Sequence, residues 1–235
     1  MNPRPVSSDR RRFLGAGARA LFAGALAAAG VPLAARAQGG RGQSAAAPQP
    51  LTPRDQEDIA RVEQYLNGLS TLQARFVQIA DRGAALSGDF YIKRPGRLRF
   101  QYDPPARIQI VADGRQVTYY DADTDQISQL PTGLTVAKFL VAERISLSGE
   151  LTVTRIEREA ALLQLTAVQA RSPGEGYVTL TFGDRPLQLR RWTVVDGRGR
   201  AISVTLTNLR TGAELRDDLF VFVDPDPNRA GRFRP

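Results

Sequence analysis

Apolar residues change their spacing at about residue 70. Before it, Ile59, Val62, Leu66 and Leu69 recur every third or fourth position, which marks one buried face of a helix. Thr52 followed by Pro53 supplies an N-cap and a proline for the first helical position, and Asp55, Glu57 and Asp58 place negative charge near the positive end of the helix dipole. Asn67-Gly68 supplies a stop. A helix starting at Thr52-Pro53 and ending near Gly68 is predicted.

After Ser70 the period becomes two. Leu72, Ala74 and Phe76 alternate with more polar neighbours, as do Gly88, Phe90 and Ile92, and then Leu98, Phe100 and Tyr102. Further strands are predicted at 107–112, 115–121, 126–130, 151–158, 161–169, 176–183, 187–196 and 200–210, joined by turn signals such as Asp113-Gly114, Pro173-Gly174 and Asp196-Gly197. Such short connections imply antiparallel neighbours. A second helical segment, around 134–141, carries Leu134, Ala137, Phe139 and Leu140. So many consecutive strands must close into a barrel or curl, and two helices with apolar stripes are the natural cover for a mouth or an open side. The body from 51 to 227 therefore reads as one α+β domain.

Composition narrows the chemistry. The chain has 235 residues with His 0 and Cys 0, which removes Ser-His and Cys-His couples, thiolate nucleophiles, Cys/His zinc sites and disulfides. The formal net charge of +8 invites a nucleic-acid reading, but the charge sits at the ends. Residues 51–227 hold 22 Lys plus Arg against 23 Asp plus Glu, so the folded body lacks the overall cationic footprint that a strand or duplex requires. No nucleic-acid partner is expected.

The first 37 residues read as an address. Arg10-Arg11-Arg12-Phe13-Leu14 precedes an uncharged run from Ala20 to Ala35, and Ala35-Arg36-Ala37 offers small residues for cleavage near Ala37. The uncharged run has 16 residues, short of the ~20 that span a bilayer. Arg10 and Arg11 with Phe-Leu resemble a twin-arginine export signal, the general secretory route being the alternative; both deliver to the periplasm. Residues 38–50 read as a flexible leader and 228–235 as a disordered tail.

Chemical motifs are sparse. Asp121, Asp123 and Asp125 have the spacing that opens a calcium loop, but Gln126 and Thr132 stand where such a loop needs Gly and Glu, so an acidic turn is the better reading. No phosphate-binding loop is present, because Lys93 and Lys138 are followed by Arg and Phe. No catalytic residue, metal site or cofactor is expected, and the chain does not read as an enzyme. The most distinctive polar feature is Lys93-Arg94-Pro95-Gly96, set between two aromatic-bearing strands.

The stretch from Gly88 to Phe100, Gly-Asp-Phe-Tyr-Ile-Lys-Arg-Pro-Gly-Arg-Leu-Arg-Phe, resembles the periplasmic lipoprotein carrier family LolA. Val111-Ala112-Asp113-Gly114-Arg115 with Tyr119-Tyr120-Asp121 is similar to a second family segment, and Phe220-Val221-Phe222 with Asp224-Pro225 to its closing strand. The resemblance implies an incomplete, open antiparallel β-barrel with an apolar concavity covered by helices. It also implies a carrier that takes acylated lipoproteins from an inner-membrane LolCDE-type transporter to a LolB-type acceptor or the outer membrane itself, with a monomer expected. A lipoprotein-sensing or LolB-like acceptor module of the same fold is the alternative.

The expected acyl-chain cavity is lined or bordered by Leu72, Phe76, Phe90, Ile92, Leu98, Phe100, Tyr102, Ile108 and Ile110, under lid helices contributing Ile59, Val62, Leu66, Phe139 and Leu140. A solid core built from the same residues is the competing arrangement. The resemblance gives Arg94 the role of a lid lock. Leu98 stands where the family carries an aromatic residue, and Arg97 and Arg99, alternating with it, are expected to face water.

Overall fold

The computed structural model describes residues 50–224 apart from 82, 84 and 133–136. The segment expected to be an export signal, with Arg10 and Arg11, the expected leader up to residue 49, Leu134 and the expected tail from 228 lie outside the described residues. The chain opens with helix α1 (Pro53–Asn67) and continues through strands β1 (Thr71–Ala80), β2 (Leu86–Lys93), β3 (Arg97–Tyr102), β4 (Ile108–Asp113), β5 (Gln116–Asp121) and β6 (Gln126–Pro131). A short helix α2 (Ala137–Val141) precedes β7 (Leu151–Glu159), β8 (Leu162–Gln169), β9 (Gly176–Asp184), β10 (Leu187–Asp196) and β11 (Ala201–Thr211).

Helix α1 begins where its cap dictates. The Thr52 hydroxyl accepts from the Asp55 backbone N–H at 3.2 Å, and the Asp55 carboxylate accepts from the Thr52 N–H at 2.8 Å, a reciprocal capping box. All strand pairs are antiparallel, and the spatial order is β6-β5-β4-β3-β2-β1-β11-β10-β9-β8-β7. Only the β1–β11 pairing departs from sequence order. The first and last strands of that order each pair on one side only, so the sheet is open.

The sheet is also strongly curled. Strands β2 and β10 have β1 and β11 between them, a separation of ~14 Å in a flat sheet with strands ~4.8 Å apart. Yet the Phe90 and Trp192 rings are 5.5 Å apart, and Phe100 on β3 reaches within 6.3 Å of the same indole. Register shifts in β1, β7 and β10 add local bend of the kind that curls a sheet. Gly88 belongs to this interior for a steric reason: a Cβ there would stand 2.7 Å from the Phe76 ring and 2.1 Å from the Gln101 carbonyl oxygen.

Every residue expected to line the cavity is inward and buried: Leu72, Phe76, Phe90, Ile92, Leu98, Phe100, Tyr102, Ile108 and Ile110 belong to one packed core cluster, together with Val62 and Leu66 of α1. Ile59, Phe139 and Leu140 pack against it while partly buried. Among the described residues these side chains pack against one another across the inner face of the sheet. Among the described residues no helix is long and apolar enough to cross a membrane.

The expected closing strand is corrected. Asp217–Phe220 forms a turn of 3-10 helix, and 221–224 is not a strand. Leu215 and Phe220 are buried, Phe222 tilts against Tyr120 at 5.6 Å, and Lys93 donates to the Leu215 carbonyl at 2.7 Å. Leu215 and Phe220 of this segment cover the outer face of the sheet rather than extending an edge, while Val221 and Val223 stay exposed.

Candidate functional site

The site is built where the β2–β3 turn meets both helices. Arg94 Nη1 donates to the Leu66 carbonyl near the end of α1, and Arg94 Nε donates to the Leu140 carbonyl of α2 at 3.1 Å. The last carbonyls of a helix have no partners within it and carry partial negative charge, so a cation there is favourable. Helix α1 has no basic residue in its own last turn; Arg94 supplies one from another element. The turn is fixed on the backbone as well, with Arg94 N–H donating to the Ser70 carbonyl and Gly96 N–H to the Val141 carbonyl, both at 2.8 Å. Gly96 adopts φ +82, and a Cβ there would meet Gly114 Cα at 2.7 Å, so the close approach of these two turns requires glycine. Burial pushes the Arg94 guanidinium below its ordinary value.

The rest of α1 is clamped across the other half of the sheet. Arg158 of β7 pairs with Asp55 at 2.7 Å and with Asp58 at 2.5 Å, and Arg61 pairs with Asp184 at 2.6 Å. The Tyr65 hydroxyl accepts from the Leu189 N–H at 3.1 Å, while its ring meets Phe182 edge-on at 5.9 Å. Asn67 exchanges two hydrogen bonds with the Ile145 backbone, and Glu63 accepts from the Leu147 N–H at 2.6 Å. The helix therefore holds the segment that follows α2.

Beneath the helices lies an aromatic cluster. Phe76 meets Phe100 and Tyr102 edge-on at 5.2 and 5.0 Å, and Phe90 tilts over Phe100 at 4.4 Å. The expected residues supply only the half of this interior built by β1–β4. The other half comes from Leu163, Leu165, Phe182, Leu189, Trp192, Val204 and Leu206. Trp192, the single tryptophan of the chain, meets Phe90 and Phe100 of the first half, and its place within the strand predicted at 187–196 was the available signal.

Arg97 and Arg99 do not simply face water. Arg97 pairs with Asp217 at 2.6 Å, beside Lys93 on the same carboxylate. Arg99 is half-buried, donating to Gln101, to Gln109 at 2.8 Å and to the Leu219 carbonyl at 3.1 Å. The outward face at these residues is occupied by the C-terminal segment, with a groove of about 690 Å³ left between Tyr91, Arg99, Gln109 and Leu219, Val221, Val223. The Asp121-x-Asp123-x-Asp125 stretch is the β5–β6 turn: Asp121 Oδ1 accepts from the Asp123 N–H at 2.9 Å, and Arg107 pairs with Asp123 at 3.0 Å.

Comparison with known proteins gives this arrangement a family. The model of the outer membrane lipoprotein carrier protein LolA matches residues 67–223. The chain belongs to the LolA family. An outer-membrane lipoprotein carrier protein of Methylococcus capsulatus is 30% identical over 174 residues, covering 71% of this chain and 83% of that protein. The protein of the same description from Coxiella burnetii is 29% identical over 172 residues, covering 69% of this chain and 81% of the relative. Among solved structures, a LolA superfamily protein from Nitrosomonas europaea aligns over 70% of this chain and 97% of its own with a TM-score of 0.42 and 12% identity. The LolA match spans the Arg94 turn and every strand of the curled sheet.

Proposed function

We propose that this LolA-family chain is a periplasmic carrier that shelters the acyl chains of lipoproteins in the interior of its curled sheet and surrenders them at the outer membrane. The observation that carries the reading is the placement of Arg94, which ties the ends of α1 and α2 over an interior of Phe76, Phe90, Phe100 and Trp192. Each exposed methylene costs ~0.8 kcal/mol, so one ordinary acyl chain opposes release from a membrane by ~10 kcal/mol. A carrier must cover that surface, and it must let go of it again.

The Arg94 contacts suit both demands. They are few and lie at helix ends, so α1 and α2 can move off the β2–β3 turn without breaking a strand pair. Cargo that opens the lid replaces aromatic contacts inside the curled sheet with acyl contacts of similar kind, keeping the exchange near balance. In this reading Arg94 is the lid lock. Loading is driven by a LolCDE-type transporter in the inner membrane, delivery goes to a LolB-type acceptor or to the outer membrane, and the carrier works as a monomer without covalent chemistry. Residues 1–37 direct its export.

The test is release. Inner-membrane vesicles bearing lipoproteins and the transporter are incubated with the purified protein and ATP. Soluble complexes of lipoprotein with this chain are expected; lipoprotein that stays in the vesicles at all protein concentrations would reject the carrier reading.

A further inference from the structure

The inward rows of several strands change chemistry at the end remote from Arg94. Along β1 the row runs through Leu72, Ala74 and Phe76 and ends at Gln78; along β3 it runs through Leu98 and Phe100 and ends at Tyr102. Strand β5 ends likewise, with Tyr119 followed by Asp121 opposite Ile108. These polar residues are not at a wet rim: Gln78, Tyr102, Tyr119 and Asp121 are 1, 3, 3 and 4% exposed. The Tyr102 hydroxyl donates to Gln78 Oε1 at 2.8 Å, and the Tyr119 hydroxyl lies 3.5 Å from Asp121 Oδ2. Across the sheet, Gln78 pairs with Val204, which is fully buried.

We propose that the Gln78–Tyr102 pair is the floor of the acyl site and sets the length of chain the protein accepts, an inference that rests on the carrier reading. From Leu72, beside the Arg94 turn, to Gln78 is six residues of strand, which at ~3.4 Å per residue makes the row ~20 Å deep. One leaflet of a bilayer, half of a ~30 Å hydrocarbon core, is ~15 Å thick. The apolar row therefore accommodates a chain of membrane length and ends just beyond it. A methylene added above the floor gains apolar contacts. A methylene pushed past it must separate a pair of polar groups that satisfy each other, leaving both buried without partners. The floor thus stops the chain by hydrogen bonding rather than by bulk, since Gln78 is no larger than the aromatic residues above it.

The test is a chain-length series on the purified full chain. N-acylglycines of about 10 to about 22 carbons compete with a fluorescent fatty acid, and affinity is expected to rise about fourfold per methylene before levelling off. In the Gln78→Leu/Tyr102→Phe variant the levelling point should move to chains longer by two carbons or more. Tyr102→Phe alone keeps the ring and should move the point in the same direction, which keeps the test decisive if the double variant does not fold. Wild-type affinity that rises without levelling, or a levelling point unchanged in the folded variants, would overturn the floor while leaving the carrier reading intact. Absence of binding at every length would overturn both.

Discussion

Asn67 and Ile145 exchange two hydrogen bonds, Asn67 Nδ2 donating to the Ile145 carbonyl at 2.9 Å and the Ile145 N–H donating to Asn67 Oδ1 at 2.8 Å. One side chain at the end of α1 thereby completes the backbone of the segment after α2, so that segment is joined to α1 directly, besides the tie of both helices to Arg94. Replacing Asn67 by Ala leaves a half-buried donor and acceptor without partners, a loss of ~1 to 3 kcal/mol. Denaturant unfolding should show that loss, and hydrogen exchange should quicken at Ile145 and Leu147 while the β1 and β11 amides stay protected.

Arg94→Leu should fold, because the side chain contacts helix carbonyls rather than the core. It removes charge-assisted bonds worth ~1.5 to 3 kcal/mol each, so the final amides of α1 should exchange more than tenfold faster. Transfer of loaded lipoprotein to an acceptor should change with it. Arg97 is a poor comparison since it pairs with Asp217, and Arg185 lies 3.8 Å from Asp184, which also holds Arg61 of α1; Arg198, exposed in the β10–β11 turn, is the appropriate control. Lys at position 94 should not restore the wild-type behaviour, because a compact ammonium lacks the fork that reaches two carbonyls. Equal exchange and equal transfer for the Arg94 and Arg198 variants would remove the lock.

Acid should loosen the start of α1. The Thr52 N–H and hydroxyl, with Arg158, hold the Asp55 carboxyl down to about 2, against ~3.9 for an unfolded aspartate. A lowered folded value contributes stability that is complete above about pH 4 and is lost as pH falls through about 2. The gap in thermal midpoint between wild type and Asp55→Asn should therefore be widest above pH 4 and shrink toward pH 2. A gap that does not depend on pH would contradict the assignment.

Much of the fold was legible because local signals agreed with one another. Thr52-Pro53 placed the start of α1, and the clean alternation of Leu72 to Phe76 and Leu98 to Tyr102 placed those side chains on the inner face. The C-terminal half was harder. In β10 the pairing shifts between Leu189 and Arg191, so the inward residues Leu189 and Trp192 are three apart and the period of two breaks. Most of β9 is half-buried on both faces, which blurs its alternation.

Arg97 and Arg99 show a different limit. Their outward direction followed from alternation, but what lies outside did not: Asp217 and the Leu219 carbonyl are about 120 residues away along the chain. Arg94 was singled out by resemblance, and its carbonyl partners became visible only when α1 and α2 were placed.

In the carrier reading, acyl chains occupy the interior face, between β2, β3 and β10. A lipopeptide carrying a photoreactive group midway along its acyl chain, bound to the purified protein, irradiated and mapped by mass spectrometry, reports where the chain lies. Attachment to the peptides containing Phe90, Phe100 and Trp192, reduced by excess unlabelled lipopeptide, is the predicted result. Attachment confined to the outer groove at Tyr91, Arg99 and Val221, or attachment that excess lipopeptide does not reduce, would contradict it.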